Sequence, residues 1–374
     1  MTRVGRRDLL LAGLALPTFE PGLALGSAAV GKPRRPDSRS LPTRIAFGSC
    51  AHQDKQQPIW DVILESRPDL FIFLGDNVYG DTRDPSVLQA KYAKLRAKPG
   101  FQRLCAQVPI MATWDDHDYG ENDAGYEYPM KEESRRIFCE FWGEPSDSVR
   151  RTREGIFDSI IFSAGNRSLQ VILPDLRFNR TPIRSLDLGS ARYKDWAERL
   201  EREGREVPGP YERNPDLSAT MLGEVQWQWL EAQLKEPVDL RILASGLQVV
   251  ADFPGWEAWI NYTSDHQRLL QSIRKYRADG LICISGDTHY GEISRLDLNS
   301  PYPLWDITSS GLTEVWPVTP PNSRRIGNVI REQNFGLLTV DWFDAEASIL
   351  AQVIGINGEP RLEQRIYLDT LRVS

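Results

Sequence analysis

Leu70-Phe71-Ile72-Phe73-Leu74-Gly75-Asp76-Asn77-Val78-Tyr79 runs through five apolar residues without a polar break, then turns at once into Gly-Asp-Asn. An unbroken apolar run of that length, closed by turn residues, reads as a strand buried on both faces, as in a parallel sheet. The pattern recurs along the chain. Residues 43–47 end on Gly48-Ser49-Cys50, and 108–113 end on Trp114-Asp115-Asp116-His117-Asp118. Residues 281–284 end on Ser285-Gly286-Asp287-Thr288-His289, and 240–244 form a further buried run. Between them, Ile59–Glu65, 86–97 and 131–142 carry helical spacing. Residues 222–234 read as an amphipathic helix with Val225, Trp229, Leu230 and Leu234 on one side. The runs 155–163 and 168–173 flank Ala164-Gly165-Asn166-Arg167, a hairpin turn. Past 304–308 come strand-like runs at 335–340, 348–353 and 362–368, with little helix between them. Alternation of this kind is the pattern of an α/β fold.

Composition agrees. Eleven Trp, twelve Tyr and thirteen Phe in 374 residues, with 41% hydrophobic residues, are far too many for a solvated coil and ample for a large core. A net charge of −7 argues against a nucleic-acid scaffold as partner. Four Cys exclude a disulfide-dense scaffold, and any catalytic histidine must be one of four.

The polar clusters sit directly after the apolar runs, where the loops of an open α/β sheet converge. Cys50, Asp76, Asp115 to Asp118, Asp287 and His289 can therefore meet at one edge. Thiolate, imidazole and carboxylate are the main metal ligands of proteins. Three carboxylates packed side by side without a cation raise one another's pKa, and a divalent or trivalent ion removes that repulsion. Taken singly, each cluster has a plainer reading. Gly-Asp-Asn is turn chemistry, Asp115 can cap a helix, and Cys50 can be a small buried residue. Six to eight potential ligands, all at strand ends, exceed the need of a four-coordinate zinc and suit a two-metal centre.

Phe47-Gly48-Ser49-Cys50-Ala51-His52-Gln53, Leu74-Gly75-Asp76-Asn77-Val78-Tyr79-Gly80-Asp81, Thr113-Trp114-Asp115-Asp116-His117-Asp118 and Ser285-Gly286-Asp287-Thr288-His289-Tyr290 together resemble the signature blocks of the alkaline phosphatase D family, within the calcineurin-like metallophosphoesterases. The resemblance extends from about Arg44 to about Trp316. It implies a four-layer α/β/β/α sandwich with two mixed β-sheets and metals at the strand ends. The strands after Trp316 are expected to form the second sheet's edge or a lid over the pocket. Cys50 stands where the superfamily usually carries Asp-x-His, and Tyr79 replaces the second Asp of the usual Gly-Asp-x-x-Asp block. Asp116 takes the usual Asn ligand position and His117 that of the catalytic histidine.

By this resemblance Asp76 bridges two ions. Cys50, Tyr79, Asp287 and His289 hold the iron-like ion, and Asp115 or Asp116 holds the second. Thiolate and phenolate favour Fe(III), and an oxygen-only partner site favours Ca(II), with Mn and Zn open as alternatives. The implied activity is hydrolysis of phosphate monoesters or diesters by metal-bound hydroxide, with His117 protonating or stabilising the departing oxygen. Specialisation for a phospholipid headgroup or nucleotide, and metal or phosphate binding without turnover, are the alternatives. Arg177 is a candidate phosphate contact, or else a surface ion-pair residue. Asn122 is either an additional oxygen ligand or a turn residue, Gln248 is either a ligand of the second metal or a buried structural amide, and His52 is expected to orient the site from behind. Trp256 and Glu257 read as pocket wall or packing.

At the N-terminus, Arg6-Arg7 precedes an apolar stretch and small residues at 24–29, resembling a twin-arginine export signal over residues 1–28. A Pro-rich basic linker at 29–42 and one catalytic domain at 43–374 complete the expected organisation. The expected partners are the twin-arginine machinery and a small phosphate ester. The expected location is periplasmic or secreted. His266 reads as a surface residue. Cys105, Cys139 and Cys283 read as structural, with a Cys105–Cys139 disulfide open after export.

Overall fold

A computed structural model describes residues 32–189, 191–342 and 346–373; the export-signal segment lies outside the described residues. Thirteen strands are described: β1 Arg44–Gly48, β2 Leu70–Leu74, β3 Ile110–Thr113, β4 Asp158–Ala164, β5 Arg167–Leu173, β6 Leu240–Ser245, β7 Leu281–Ser285, β8 Gly291–Leu296, β9 Leu304–Ser309, β10 Arg325–Ile330, β11 Asn334–Asp341, β12 Ser348–Gly355 and β13 Pro360–Tyr367. They form two mixed sheets, in the orders β13-β12-β11-β1-β2-β3 and β10-β8-β9-β7-β6-β5-β4. Strands β1, β2 and β3 are parallel in the first sheet, and β5, β6, β7 and β9 are parallel in the second.

Period-2 alternation divides each strand between two cores. Ile45, Phe47, Leu70, Ile72 and Leu74 face the core shared with the second sheet. Ala46, Phe71 and Phe73 face the opposite core, against helices α1 (Ile59–Glu65), α2 (Pro85–Arg96), α3 (Pro99–Gln107) and, after the short α4 (Asp116–Tyr119), α5 (Lys131–Phe141). Beyond α6 (Tyr193–Arg202), helices α7 (Gly223–Gln233) and α8 (Thr263–Tyr276) add Trp227, Leu230, Leu269 and Ile273 to the same buried cluster, which takes in both faces of β6 and β7. Helices therefore cover the outer face of each sheet, and the four-layer expectation holds. Local chemistry starts these helices where the sequence allows: Asp84 caps α2 by accepting from the Ser86 N–H at 2.9 Å, with Pro85 in the first turn.

Several expectations are corrected. The strands after Trp316 were expected to edge the second sheet or lid the pocket. Only β10 joins the second sheet; β11, β12 and β13 return to the first, where β11 pairs antiparallel with β1. That pairing is tight, because Gly336 lies opposite Phe47 and a Cβ there would fall 2.0 Å from the ring. Helix α7 buries Gln226, Trp227 and Leu230, while Val225 is 61% exposed. Its true inward face is rotated from the expected one, because the Gln226 amide serves Asp175 at 2.8 Å on both sides. All four cysteines are free thiols, so the Cys105–Cys139 disulfide is absent; the Cys139 thiol donates instead to the Arg150 carbonyl at 3.6 Å. Residues 34–38 of the expected linker lie against both sheets: Ile110 N donates to Arg34 O at 2.8 Å and Ser163 N to Ser38 O at 2.9 Å.

His266 is not on the surface. It is buried on α8, and burial together with Arg324 pushes its pKa down to about 4. The folded pKa lies below the unfolded value, so the unfolded chain binds the extra proton. Stability is full above roughly pH 6.5 and is lost as pH falls toward 4. Replacing His266 with Gln is expected to flatten the pH 4–6.5 limb of the urea-unfolding midpoint; an unchanged limb would contradict this reading.

Candidate metal centre

The parallel strands all point their C-terminal ends at one region. Cys50 follows β1, Asp76 and Tyr79 follow β2, and Asp115 to Asp118 follow β3. Asp175 and Arg177 follow β5, Gln248 follows β6, and Asp287 and His289 follow β7. The chain must reverse sharply at each end. Cys50 (φ 65°), Asp76 (φ 50°), Asp287 (φ 71°) and His289 (φ 60°) all take left-handed backbone that non-glycine residues rarely adopt. Such strain gathers at functional sites, where the surrounding fold over-determines it. Gly75 allows the closest approach: at φ 104°, a Cβ there would lie 2.5 Å from that of Asp115.

The side chains meet accordingly. The Cys50 thiol lies 3.4 Å from Asp76 Oδ2 and 3.2 Å from Ser310 Oγ. The Tyr79 hydroxyl lies 3.5 Å from Asp76 Oδ2 and 3.1 Å from His289 Nε2. Ligand atoms of Cys50, Asp76 and His289 fall within 4.8 Å of one another, as do those of Asp115, Asp116 and Asp287 and those of Asp76, Asp116 and His117. His52 stacks on Tyr79 at 4.7 Å between centroids, and His117 packs on the same ring at 4.3 Å. The Nδ1 of His117 meets Asp81 Oδ1 at 2.7 Å.

Three of these carboxylates share a division of labour. Asp76 engages its neighbours through Oδ2, Asp115 is held by Arg177 through Oδ1, and Asp116 accepts from Asp123 N through Oδ2 at 2.7 Å. The other oxygen of each, Asp76 Oδ1, Asp115 Oδ2 and Asp116 Oδ1, is buried without a hydrogen-bond partner. A buried orphan oxygen is costly unless a cation meets it. These donors therefore fit metal ions.

Electrostatics says the same. Burial, reinforced by neighbouring carboxylates, holds the Asp76 and Asp287 carboxyls well above the usual range. Burial and Asp76 push the Cys50 thiol up, and burial and Cys50 push up the Tyr79 phenol. Bound cations would reverse all four shifts. Burial lowers His289 to about 4, leaving a neutral imidazole suited to ligation. For His117 burial opposes the charge, but Asp116, Asp76 and Asp81 outweigh it and raise the ring to about 11.

Asp118, the third acid of its cluster, faces inward. It accepts from Asp76 N at 3.1 Å, Asp115 N at 2.8 Å, Asn77 Nδ2 at 2.6 Å and the Tyr92 hydroxyl at 2.9 Å, and so braces two turns together.

Two expected residues are relocated. Arg177 is neither a surface residue nor part of the cavity wall. It is fully buried, its guanidinium bonded to Asp115 and forked onto Glu257 at 2.8 and 3.0 Å, with Asp116 Oδ1 at 3.7 Å. Asp116 and Glu257, two of the acids it meets, line the cavity. Gln248 is a buried amide, its nitrogen donating to Glu292 at 2.7 Å and Thr308 at 3.0 Å and its oxygen facing the Tyr290 hydroxyl at 3.5 Å. Asn122 stands exposed on the cavity wall, donating to Asp123 Oδ2 at 2.6 Å.

The sequence reading missed Asp123, Arg180 and Tyr211. Asp123 joins Asp116 and Glu257 in a further acidic group, Arg180 is fully buried against Glu257, and the Tyr211 hydroxyl donates to Asp123. Their only signal was proximity to recognised blocks, since α6 and a long loop separate Tyr211 from Arg180 in sequence.

The family model described as PhoD-like phosphatase matches residues 45–333. The chain belongs to the PhoD-like phosphatase family. It is 21% identical over 284 residues to alkaline phosphatase D of Bacillus subtilis (strain 168), covering 68% of this chain and 47% of that protein. The chain thus spans about half the length of the curated relative it matches. Among solved structures, one of PhoD superposes with TM-score 0.61 at 14% identity, covering 88% of this chain and 72% of that one. A dimetal phosphatase from Danio rerio superposes with TM-score 0.51 at 16% identity, covering 88% and 100%. At these identities the likeness establishes the mixed α/β fold with its two sheets, which the PhoD-like chain shares with both.

Arg177→Met would leave Asp115 buried without its main counter-ion and Glu257 with Arg180 alone. The expected cost is about 3–5 kcal/mol, read from urea unfolding, together with lower bound metal by elemental analysis. Arg177→Lys should recover little, because an ammonium cannot fork onto Glu257 and reach Asp115 at once.

Proposed function

We propose that this chain is an exported, metal-dependent phosphoesterase that hydrolyses phosphate monoesters or diesters at the cluster between the two sheets. The observation that carries the reading is the division of labour among Asp76, Asp115 and Asp116, each with one oxygen fixed by protein and the other orphaned. Such a set is built to be completed by cations, and membership of the PhoD-like family supplies phosphate esters as the substrate class.

Cys50, Tyr79, Asp287 and His289 would hold one ion, Asp115 and Asp116 the other, and Asp76 would bridge them. The thiolate–phenolate donor set favours Fe(III), and the carboxylate set favours Ca(II). When bound, the ions supply Lewis acidity at the phosphoryl oxygen and a nucleophile drawn from water at neutral pH. The chain's own residues do the rest. Asp81 holds Nδ1 of His117, leaving Nε2 to give a proton to the alcohol oxygen as the P–O bond breaks. His52 keeps the Tyr79 ring in place by stacking, and Arg177 fixes Asp115 and Asp116 from behind. The paired arginines at the N-terminus support export by the twin-arginine pathway, followed by the linker and a single catalytic domain. No helix among the described residues is long and apolar enough to cross a membrane.

Hydrolysis of a nitrophenyl phosphate ester by the purified, metal-loaded protein tests the activity. Asp76→Asn is expected to abolish it with loss of metal. His117→Gln should lower kcat by about 10²–10⁴ with metal retained. Full activity in Asp76→Asn would overturn the reading.

The visible spectrum tests the metal independently. A phenolate-to-Fe(III) band is expected in the native protein and should vanish in Tyr79→Phe; a colourless native protein containing only zinc or manganese would refute the iron assignment.

A further inference from the structure

Next to the carboxylate cluster lies a cavity of about 220 Å³ with an unusual wall. Asp116, His117, Asp287 and His289 form its metal-centre side, and Tyr211, Trp256 and Trp316 form the other. The Trp256 ring meets Trp316 at 5.6 Å and 77°, and Tyr211 at 6.4 Å and 83°, so the aromatic rings make corners. Tyr193 backs Trp256 from behind at 5.5 Å and 78°. All four rings are only partly buried.

The corner is fixed by main chain, unlike a chance surface patch. Gly209 N donates to Pro254 O at 3.0 Å, and Tyr211 N donates to Gly255 O at 2.9 Å. These bonds lock the Tyr211 loop to the Trp256 loop, at a point where a Cβ on Gly209 would lie 2.2 Å from Gly255 O. Trp316 N donates to His289 O at 2.9 Å, tying the third loop to a proposed ligand. The Tyr211 hydroxyl is bonded to Asp123, which orients its ring. Aromatic faces held open beside a reaction centre, at no further ordering cost, are preorganised for a ligand.

Charge selects the ligand. Among the described residues, no Lys or Arg lines the cavity, so nothing there would pair with a second phosphate or a carboxylate on the substrate. Of the nearby acids, Asp123 accepts from Tyr211 and Asn122 through Oδ2, and Glu257 is held by Arg177 and Arg180. What the recess offers is flat π surface.

We infer that Tyr211, Trp256 and Trp316 form a subsite for an uncharged, flat arm of the phosphate ester, of aryl or nucleoside type. This rests on the phosphoesterase reading and adds the substrate class.

The test is binding calorimetry on the metal-loaded protein with three methylphosphonate monoesters carrying an O-phenyl, O-ethyl or O-choline arm. O-phenyl is expected to bind about tenfold more tightly than O-ethyl, as base–aromatic stacking energies imply. That ratio should fall to about one in both Trp256→Ala and Trp316→Ala. Equal binding of the phenyl and ethyl esters, tightest binding of the choline ester, or a ratio that survives both substitutions would overturn the inference. Because the readout is binding, absence of turnover by the native protein would count against the phosphoesterase reading alone.

Discussion

The ion pair between Asp115 and Arg177 is the joint on which this molecule turns. Asp115 leaves the end of β3 in one sheet, and Arg177 leaves the end of β5 in the other. Both are fully buried, so neither charge can be solvated and each depends on its partner. Around them the same requirement repeats. Trp114 Nε1 donates to Asp175 at 2.9 Å, Thr113 Oγ1 donates to Pro174 O at 3.2 Å, and Glu257 receives both Arg177 and Arg180. The seam between the sheets is thus polar at its functional end and apolar beneath.

That arrangement concentrates more acid than the protein's own cations neutralise at this edge. Asp76, Asp115, Asp116, Asp118 and Asp287 face Arg177, Arg180 and His117, and burial keeps water from screening the difference. Asp118 escapes by accepting four hydrogen bonds, and Arg177 takes one oxygen of Asp115. The oxygens that remain without a hydrogen-bond partner are the ones open to a cation. Left-handed turns at Cys50, Asp76, Asp287 and His289 are the backbone cost of aiming so many ligands at one place.

Much of this was legible before any coordinates. Unbroken apolar runs ending in Gly-Asp-Asn or Asp-Asp-His-Asp announce buried parallel strands with ligands at their ends, because both features are local in sequence. What failed was non-local. Arg177 looked like a surface residue or a phosphate contact because a sequence does not record which buried acid will claim a guanidinium, and the same gap left Gln248 open between ligand and structural amide. His266 looked solvated because polar neighbours on a helix mask which face turns inward. Strands β11 to β13 were given to the wrong sheet, since strand order depends on long-range pairing and not on strand propensity.

The sequence by itself determined most of the strands, the fold class and the identity of the clustered donors, because periodicity, turn chemistry and motif spacing act within a few residues; it did not announce α3, α6, β8 or β10. Tertiary structure alone decided which sheet closes on β1, which oxygen of each aspartate stays open and which arginine stands behind them. It also assembled Tyr211, Trp256 and Trp316, drawn from three distant loops, into one corner. Burial is the physical reason for the divide. A charge or an aromatic face acquires its meaning from what excludes water around it, and that is set by residues far away along the chain.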